Sequence, residues 1–267
     1  MLISACVPCF NNEATIGCAV RSLFEQSIPP SEVFVVDDGS KDRSADRSVE
    51  AGARVVSSDQ NLGRGAIRAR AIETGSGDLL LSVDATAKLS PDFGEKTLPW
   101  FEDPKVAAVY GRITQPPAQR VADRWRGRHL YRLGETHEPG PATTLITGGV
   151  IMRRSAILEV GNFDTTLRHS EDRELGRRLL AGGWKIIYEP RAVVTTLVSN
   201  TVAQALERYW RWNSGVRPEF RFRDYAKMTW YSMKVLAARD LRSRDLGCAV
   251  MSAILPHYCA LRTLRGR

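Results

Sequence analysis

Two short apolar runs in the first third of the chain each end on an acidic residue. Val33–Val36 leads into Asp37 and Asp38, and Leu79–Val83 leads into Asp84. Apolar runs of this length, bounded by turn residues, are typical of strands buried on both faces of a parallel sheet. Ligands of open α/β sheets bind at the carboxyl ends of strands, although one such acid alone is also an ordinary turn former. The pair together favours a site for a cationic or hydroxyl-rich ligand.

The chain around these runs alternates strand and helix patterns. Ile3–Val7 predicts a first strand, and Asn11 or Asn12 is expected to cap the helix that follows. Further strands are predicted at residues 54–56, 106–110, 147–152, 184–188 and 192–195, with a helix opening at Ser170. Alternation of this kind predicts an α/β fold with a mostly parallel central sheet and helices on both faces.

Two later stretches differ from this pattern. Residues 114–140 are rich in Arg, Pro and polar residues, and we expect them to be exposed or mobile. From about residue 200 the chain becomes helical, with many aromatic and arginine residues. The predicted organisation is therefore a core domain at residues 1–199 and a basic, amphipathic helical region at residues 200–267.

Composition limits the partners and the compartment. The net charge of +8 and the pI of about 9.5 predict attraction to an anionic partner. The basic residues are spread along the chain without a recognisable nucleic-acid motif, so no nucleic-acid partner is expected. The five cysteines are odd in number, which favours structural thiols in a reduced compartment. The cysteines are Cys6, Cys9, Cys18, Cys248 and Cys259.

The N-terminal residues predict no signal peptide, because a basic leader and a sustained apolar stretch are absent there. The longest apolar stretch, Leu246–Leu255, is shorter than the roughly 20 residues of a spanning helix. A cytoplasmic protein is expected.

Several common nucleotide and hydrolase motifs do not match this chain. The run Gly63–Arg68 places Arg68 where a dinucleotide fingerprint needs a small residue, and the P-loop pattern is absent. A nucleophile elbow is absent as well. These mismatches exclude a Rossmann dehydrogenase, a P-loop nucleotidase and an α/β-hydrolase.

An ordered series of short motifs runs through the first 196 residues. It comprises Val7-Pro8-Cys9-Phe10-Asn11-Asn12-Glu13, Val36-Asp37-Asp38-Gly39-Ser40, Asn61-Leu62-Gly63, Ala69-Arg70, Asp84-Ala85-Thr86, Thr147-Gly148-Gly149, Gly161-Asn162-Phe163-Asp164, Ser170-Glu171-Asp172 and Tyr188-Glu189-Pro190. In this order the motifs resemble the family 2 glycosyltransferases, which are inverting enzymes with the GT-A fold. The resemblance covers roughly residues 3 to 196.

The resemblance implies a nucleotide-diphosphate sugar donor, for example a UDP-sugar, and a hydroxyl acceptor. Pro8, Phe10, Asn11, Glu13 and Ala85 are implied to line the donor pocket. Asp37 is implied to meet the base, Asp38 to meet the ribose or shape the turn, Arg70 to face the base or the phosphates, and Asp84 to meet the ribose and metal. Gly148 and Gly149 are implied to lie on the acceptor side.

The acidic pair Glu171-Asp172 is implied to be catalytic, with Asp172 as the general base. Both carboxylates are expected in the first turn of a helix capped by Ser170, where the free N–H groups and the helix dipole favour an ionised carboxylate. The alternative is ordinary enrichment of acids in a first helical turn.

Two departures from the family pattern concern the metal. Thr86 replaces the usual metal-binding acid, and Thr196 replaces a histidine that many members carry. Neutral hydroxyls are poor ligands for a hard divalent cation, so binding of Mg²⁺ or Mn²⁺ at Asp84 is predicted to be weak or absent. Lys88 and Arg70 are the first candidates for neutralising the diphosphate instead, and a solvated surface lysine is the alternative for Lys88.

The C-terminal region offers a second set of candidates. Arg211 and Trp212 loosely resemble the Q-x-x-R-W element of processive members, and are candidates for framing the acceptor or for helix packing. The Leu246–Leu255 run is bracketed by basic residues. It fits a helix lying on an anionic membrane, a helix packed on the core, or a helix at a homodimer interface. The bracketing residues are Arg239, Arg242, Arg244, Arg262, Arg265 and Arg267.

The resulting hypothesis is an inverting glycosyltransferase acting on a lipid-linked or cell-envelope glycan intermediate, cytoplasmic and peripheral on the inner face of the membrane. The rival hypothesis is a degenerate, non-catalytic protein that binds nucleotide sugars or acts as a scaffold. The two threonines favour the rival, and the intact Glu171-Asp172 pair argues against it.

Overall fold

The computed structural model describes residues 1–214 and 219–265, which form two compact units. Unit 1 comprises Met1–Pro116 and Thr136–Val198, and unit 2 comprises Pro117–Glu135 and Ser199–Arg267. The chain therefore passes between the units three times. The expected division at residue 200 lies beside the last of these crossings, but the segment 117–135 belongs to unit 2.

Unit 1 contains a nine-stranded mixed sheet. Its strands are β1 (Ile3–Cys9), β2 (Glu32–Asp37), β3 (Arg54–Ser57), β4 (Leu79–Val83), β5 (Ala87–Leu89), β6 (Val106–Thr114), β7 (Gly140–Pro141), β8 (Gly149–Arg153) and β9 (Lys185–Thr196). The order is β3-β2-β1-β4-β8-β6-β9-β5, with β7 paired to β9. The strands β1 to β4 pair in parallel, whereas β8 is antiparallel to both β4 and β6. The carboxyl ends of β1, β2 and β4 therefore meet at one edge.

Helices cover both faces of this sheet. They are α1 (Ile16–Phe24), α2 (Ser44–Glu50), α3 (Arg64–Thr74), α4 (Phe93–Thr97), the 3-10 helix Leu98–Glu102, α6 (Arg154–Glu159) and α7 (Glu171–Ala181). One core layer packs α1 residues such as Leu23 against the sheet, and the opposite layer packs Ile72 of α3 and Leu179 of α7. Strands buried on both faces need apolar side chains at every position, which explains the uninterrupted runs in the sequence.

Two details of unit 1 differ from expectation. Residues 184–188 and 192–195 were predicted as separate strands, but they form the single strand β9 with a register shift opposite Gly111/Arg112. The interruption by Glu189 and Pro190 thus reflects a bulge. The first helix begins at Ile16 after Thr15, and neither Asn11 nor Asn12 caps it with a side chain, because the Asn11 side chain bonds to another loop.

Unit 2 is helical. Its elements are α5 (Val121–His129), α8 (Val202–Asn213), α9 (Phe222–Tyr231), the π-helix Ser232–Ala237, α10 (Ala238–Arg242) and α11 (Leu246–Leu264). Trp125, Leu206, Trp210, Met251 and Leu255 are among the buried side chains of its core. No helix within residues 1–214 and 219–265 is long and apolar enough to cross a bilayer.

The expectation of an exposed or mobile segment at residues 114–140 is wrong for α5. Two of its three arginines pair with acids that lie more than 100 positions later, since Arg124 and Arg128 bond to Asp245 and Arg128 also bonds to Asp240. Asp240 has no exposed surface and accepts further hydrogen bonds from Ser252 and His129, the latter with the ring N–H assigned to Nε2. The sequence around α5 suggested exposed arginines because the acids that pair with them are far away in the chain.

Candidate functional site

The candidate site lies at the edge where β1, β2 and β4 end. Asp37 is the last residue of β2, and Asp84 directly follows β4. These ends lie in register, because β1 pairs in parallel with both β2 and β4. The fold therefore brings the two acid-ended runs of the sequence to one place.

The first two loops of this edge are bonded to each other. The Asn11 side chain accepts from the backbone N–H of Lys41 at 2.8 Å, and the Glu13 carboxylate accepts from that of Arg43 at 3.0 Å. Pro8 lies within β1, and Phe10 projects at the end of that strand with 42% of its surface exposed. Asn11 and Glu13 thus hold the wall of the site together, and Phe10 offers an open aromatic ring.

The buried acids Asp37 and Asp38 organise the turn that follows β2. Asp37 accepts from the backbone and side chain of Ser40. Asp38 accepts from the Asn61 side chain at 2.8 Å and from the backbone N–H groups of Leu62 and Gly63 at 2.7 and 3.0 Å. Asp38 therefore fixes the loop that leads into α3.

Arg68 is the centre of the site and was not among the residues selected from the sequence. Its Nη2 donates to Asp84 Oδ1 at 2.7 Å, and its Nε donates to Glu171 Oε1 at 3.2 Å. The residue is only 7% exposed. Burial lowers the pKa of Arg68, but Asp84 and Glu171 outweigh that effect and raise it above its ordinary value. The guanidinium is therefore a permanent cation between two carboxylates.

The third nitrogen of Arg68 has a different environment. Nη1 is buried and has no hydrogen-bond partner among the described residues. A buried donor without a partner is costly, so a water molecule or a small ligand group is expected to satisfy it. The sequence did carry a signal for this burial, because Gly65, Arg68, Ala69 and Ile72 follow the i, i+3, i+4, i+7 spacing of an inward helix face.

Arg70, which was selected from the sequence, is engaged elsewhere. Its Nη1 donates to the Ser57 carbonyl at 3.0 Å and to the Ser58 hydroxyl at 2.9 Å. It therefore ties α3 to the end of β3. Lys88 is exposed on β5.

The catalytic candidates Glu171 and Asp172 begin α7. Glu171 is buried and paired with Arg68, whereas Asp172 is half-buried and accepts from the N–H of Arg173 at 2.8 Å. Burial, and next the charge of Glu171, raise the pKa of Asp172 to about 6. Asp172 is thus ionised at neutral pH and is more basic than an ordinary aspartate.

This result corrects the local electrostatic argument from the sequence. Ser170 occupies the N-cap position of α7, but its backbone is left-handed with φ 61° and its side chain makes no capping bond. Burial and the neighbouring carboxylate outweigh the charge of Arg68 and the hydrogen bond from the Arg173 N–H, so the pKa of Asp172 is raised and not lowered.

The two glycines selected for the acceptor side differ in their surroundings. A Cβ on Gly148 would lie 3.7 Å from Asp84 Oδ2, so this backbone borders the site. A Cβ on Gly149 would lie 2.4 Å from Val194, so Gly149 allows β8 to pack closely. Ala85, which the resemblance places in the donor pocket, is buried in the core at 3% exposure.

The metal position offers one carboxylate, that of Asp84, and the hydroxyls of Thr86 and Thr196. Ala87 pairs with Thr196, and Thr196 Oγ1 lies 3.5 Å from the carbonyl oxygen of Thr86, so the fold brings the two threonines together. In residues 1–214 and 219–265, no group of three or more Asp, Glu, His or Cys side chains could hold a metal. Asp84 is paired with Arg68 instead.

Arg211 and Trp212 lie in unit 2, on α8. The Trp212 ring is 6.2 Å from the ring of Tyr131, and both residues are half-buried or more. Their neighbour Trp210 is buried in the core of unit 2.

Comparison with known proteins identifies the family. The model for glycosyl transferase family 2 matches residues 4–161, which is more than half of the chain. The chain belongs to glycosyl transferase family 2. The family and its GT-A fold, both expected from the motif series, are therefore confirmed. The matched region includes α3 and the strands that form the site.

Among the relatives, an N-acetylglucosaminyltransferase of Rhizobium leguminosarum bv. viciae is 32% identical over 237 residues, covering 79% of this chain and 54% of the relative. The chain thus spans about half the length of such relatives. A mannosyltransferase from Pyrobaculum calidifontis, solved with GDP-Man and Mn²⁺, has a TM-score of 0.65 and 17% identity, covering 98% of this chain and 86% of that one. The structure of S. aureus TarS 1–349 in complex with UDP has a TM-score of 0.57 and 17% identity, and the match covers 100% of this chain and 89% of that one.

Proposed function

We propose that this protein transfers a sugar from a nucleotide-diphosphate sugar to a hydroxyl acceptor, with inversion at the anomeric carbon. The observation that carries the proposal is the position of Arg68, which joins Asp84 at the sheet edge to Glu171 beside Asp172. One site thus combines a buried cation with a carboxylate of raised pKa. Such a pair suits a reaction that releases a diphosphate and removes a proton.

In the proposed reaction, Asp172 accepts the proton of the acceptor hydroxyl. The acceptor oxygen forms a bond to the anomeric carbon as the bond from that carbon to the β-phosphate oxygen breaks, and the nucleoside diphosphate leaves with the electron pair. The permanent positive charge of Arg68 beside Asp84 stabilises the negative charge that develops on the diphosphate. Phe10 stacks on the base, while Asp37 and Asp38 hold the turns around it.

The relatives direct the choice of donor. Several are named N-acetylglucosaminyltransferase, so a UDP-linked N-acetylglucosamine is the first donor to test, followed by UDP-glucose and GDP-mannose. Sugar transfer or slow donor hydrolysis is measured for the full chain and for Asp172→Asn. Asp46→Asn is the matched control, since Asp46 is an exposed acid in the first turn of another helix.

The expected result is turnover that Asp172→Asn reduces at least about 100-fold and Asp46→Asn leaves unchanged. The rival, a protein that only binds nucleotide sugars, predicts donor binding without turnover for every donor and acceptor. The raised pKa of Asp172 supports the enzyme, because mere binding of a donor does not need a basic carboxylate beside the cation.

For the cofactor, we propose that transfer depends weakly or not at all on a divalent cation. Thr86 and Thr196 supply neutral hydroxyls at the metal position, and Arg68 already pairs with Asp84. Arg68 replaces Arg70 and Lys88 as the first candidate for neutralising the diphosphate.

A Mn²⁺ titration in chelator-treated buffer tests this point. We expect activity without added metal, and less than about a fivefold increase at saturating Mn²⁺. Abolition of activity by the chelator, with recovery at micromolar Mn²⁺, would contradict the proposal. The reverse substitution, Thr86→Asp, is expected to increase the dependence on Mn²⁺ because it restores a carboxylate.

The acceptor and the place of action are also proposals. We propose a lipid-linked or cell-envelope glycan intermediate, used at the inner face of the membrane, with Gly148 beside the acceptor. Roles of Arg211 and Trp212 toward the acceptor, and a homodimer, stay predictions. A screen of glycosylated lipid acceptors against water-soluble analogues would distinguish these acceptor classes by their rates.

A further inference from the structure

Helix α11 has apolar side chains on two opposite faces. Cys248, Met251, Leu255 and Cys259 face the core of unit 2. The opposite stripe is exposed, with Leu246 at 71%. This stripe comprises Leu246, Val250, Ile254, His257, Leu261 and Leu264. At about 100° per residue these positions span an arc of only about 80°. A helix that is apolar on all sides is normally covered on all sides.

A second exposed apolar stripe lies on α9 and the π-helix that follows it. Phe222 is 73% exposed and Trp230 is 62% exposed, and Ala226 and Met233 lie between and beyond them. The stripes are neighbours, because the Tyr225 hydroxyl of α9 lies 3.0 Å from Nδ1 of His257 in the α11 stripe. We call the two stripes together the apolar face. Its large members are Phe222, Trp230, Met233, Leu246, Val250, Ile254, Leu261 and Leu264.

The charges around the apolar face are strongly one-sided. Six exposed cations in this part of the chain have no acidic partner among the described residues. They are Arg223, Lys227, Lys234, Arg242, Arg244 and Arg265. Of the four acids in residues 219–265, Glu219, Asp240 and Asp245 are ion-paired with arginines. Only Asp224 is without an ion pair, and Arg267 lies outside the described residues.

This charge distribution distinguishes the two occupants that could cover the face. In a symmetric dimer the same patch meets itself, so the six cations of each copy would lie near those of the other with few acids to neutralise them. An anionic lipid surface supplies the missing negative charge and an apolar interior for the side chains. With 19 residues at about 1.5 Å each, α11 is about 28 Å long and could lie in the plane of such a surface.

We propose that the apolar face of unit 2 binds in the plane of an anionic lipid bilayer, with its leucines, Phe222 and Trp230 entering the boundary between headgroups and acyl chains. The cations bind lipid phosphates around this apolar centre. The proposal does not depend on sugar transfer, because the face lies wholly within unit 2.

The test uses the full chain with two kinds of vesicle, pure phosphatidylcholine and phosphatidylcholine mixed with anionic phosphatidylglycerol. Co-sedimentation is expected to be at least about tenfold stronger with the anionic vesicles and to weaken as salt is raised. Val250→Gln/Ile254→Gln is expected to lower binding about tenfold or more. The matched control is Val49→Gln/Leu158→Gln, which changes exposed apolar residues of unit 1 and should leave binding unchanged.

A second pair of variants tests the charges. Arg242→Gln/Arg244→Gln is expected to lower binding to anionic vesicles about tenfold or more, since each cation near the surface contributes about fivefold. Arg43→Gln/Arg47→Gln removes two exposed charges at and within α2, which belongs to unit 1, and should have little effect. Equal binding to both kinds of vesicle would overturn the proposal.

Tryptophan fluorescence gives a second measurement, which starts from the unmodified chain. The emission of its six tryptophans should shift to shorter wavelength with anionic vesicles and be quenched by brominated lipids. The conservative variant Trp230→Phe should remove the shift, which assigns it to Trp230. No shift and no quenching would overturn the proposal. A lipid-free dimer that Val250→Gln/Ile254→Gln converts to a monomer would also overturn it, because the occupant would then be a second copy.

Discussion

Asp172 owes its unusual basicity to its neighbours and not to its place in the helix. Burial and the charge of Glu171 raise its pKa to about 6, against the opposing effects of Arg68 and of the backbone N–H of Arg173. Arg68 in turn depends on Asp84 and Glu171, which neutralise it in a buried place. The chemistry of the site is therefore a property of this group of charges.

The pH dependence of activity should report the titration of Asp172. Because the base acts only when deprotonated, the rate is expected to fall below about pH 6 and to be level above about pH 7. A profile that stays level down to pH 4.5 would contradict this assignment. The same measurement on Asp46→Asn serves as the control.

The raised pKa of Asp172 also predicts an effect on stability. The fold favours the protonated carboxyl, so the contribution of this group falls as the pH rises from its ordinary pKa of 3.8 to about 6 and stays low above that. Asp172→Asn is therefore expected to raise Tm at pH 7.5, by about 2–4 °C for each kcal/mol gained. Calorimetry at pH 7.5 checks this increase, and a decrease would show that the charge of Asp172 stabilises the fold.

The two arginines of α3 allow a direct comparison. Arg68→Lys cannot reproduce the two-sided contact with Asp84 and Glu171, so donor affinity or turnover should fall at least about tenfold. Arg70→Lys changes a contact to Ser57 and Ser58 and should stay within about twofold. Donor affinity is measured by calorimetric titration and turnover by the transfer assay, for each of the two variants. The opposite order of effects would return Arg70 to the donor site.

Helix α3 reaches its position because Gly65 permits a very close approach. A Cβ on Gly65 would lie 2.0 Å from the Asp164 carbonyl oxygen and 2.8 Å from that of Leu167. The helix and the loop after Phe163 are thus in backbone contact, one turn from Arg68. The placement of the cation depends on this packing of a helix against a loop.

Gly65→Ala is therefore expected to push α3 away from this loop, with a loss of about 1–3 kcal/mol in the free energy of unfolding and a fall in activity. Gly17→Ala is the matched control, because its Cβ would meet only the flexible end of Arg21 at 3.3 Å. That change in α1 should be neutral or stabilise by up to about 1 kcal/mol. Denaturant unfolding measures both, and equal effects would contradict the packing argument.

The chain as a whole is divided into units that are not consecutive in sequence. The α5 segment leaves unit 1 at residue 116 and returns at residue 136, and its Trp125 and Ala122 are buried in unit 2. Its Arg124 and Arg128 are neutralised by Asp240 and Asp245 of the C-terminal region. The two segments of unit 2 thus complete each other.

This division predicts the outcome of truncation. A chain ending at Val198 keeps α5 without its partners, so it should aggregate, because the apolar face of that helix is exposed and its arginines lack their acids. The control is the same truncation with residues 117–135 replaced by a flexible Gly/Ser linker, which should stay monomeric. Light scattering measures the aggregation of the two truncated chains. Equal aggregation would show that α5 does not need the C-terminal segment.

Local patterns in the sequence were sufficient for the four parallel strands β1 to β4 and for the edge that carries the site, but not for the short strands β5 and β7 or for the continuity of β9. Strands such as Leu79–Val83 are apolar at successive positions because both of their faces are buried, so their positions can be inferred from neighbouring residues alone. The order of short motifs identified the family for a similar reason, since each motif is contiguous. The acids at the strand ends and the Glu171-Asp172 pair were found in this way.

The tertiary structure decided which side chains meet. Arg68 could be assigned to the site only once α3 had been placed between Asp84 and Glu171, residues 16 and 103 positions away. The direction of the Asp172 pKa shift also depends on burial, which a local argument from the helix dipole omits. Charge and burial act through space. A contiguous motif can therefore indicate where the site lies, but residues distant in the chain determine the protonation and charge of the groups in it.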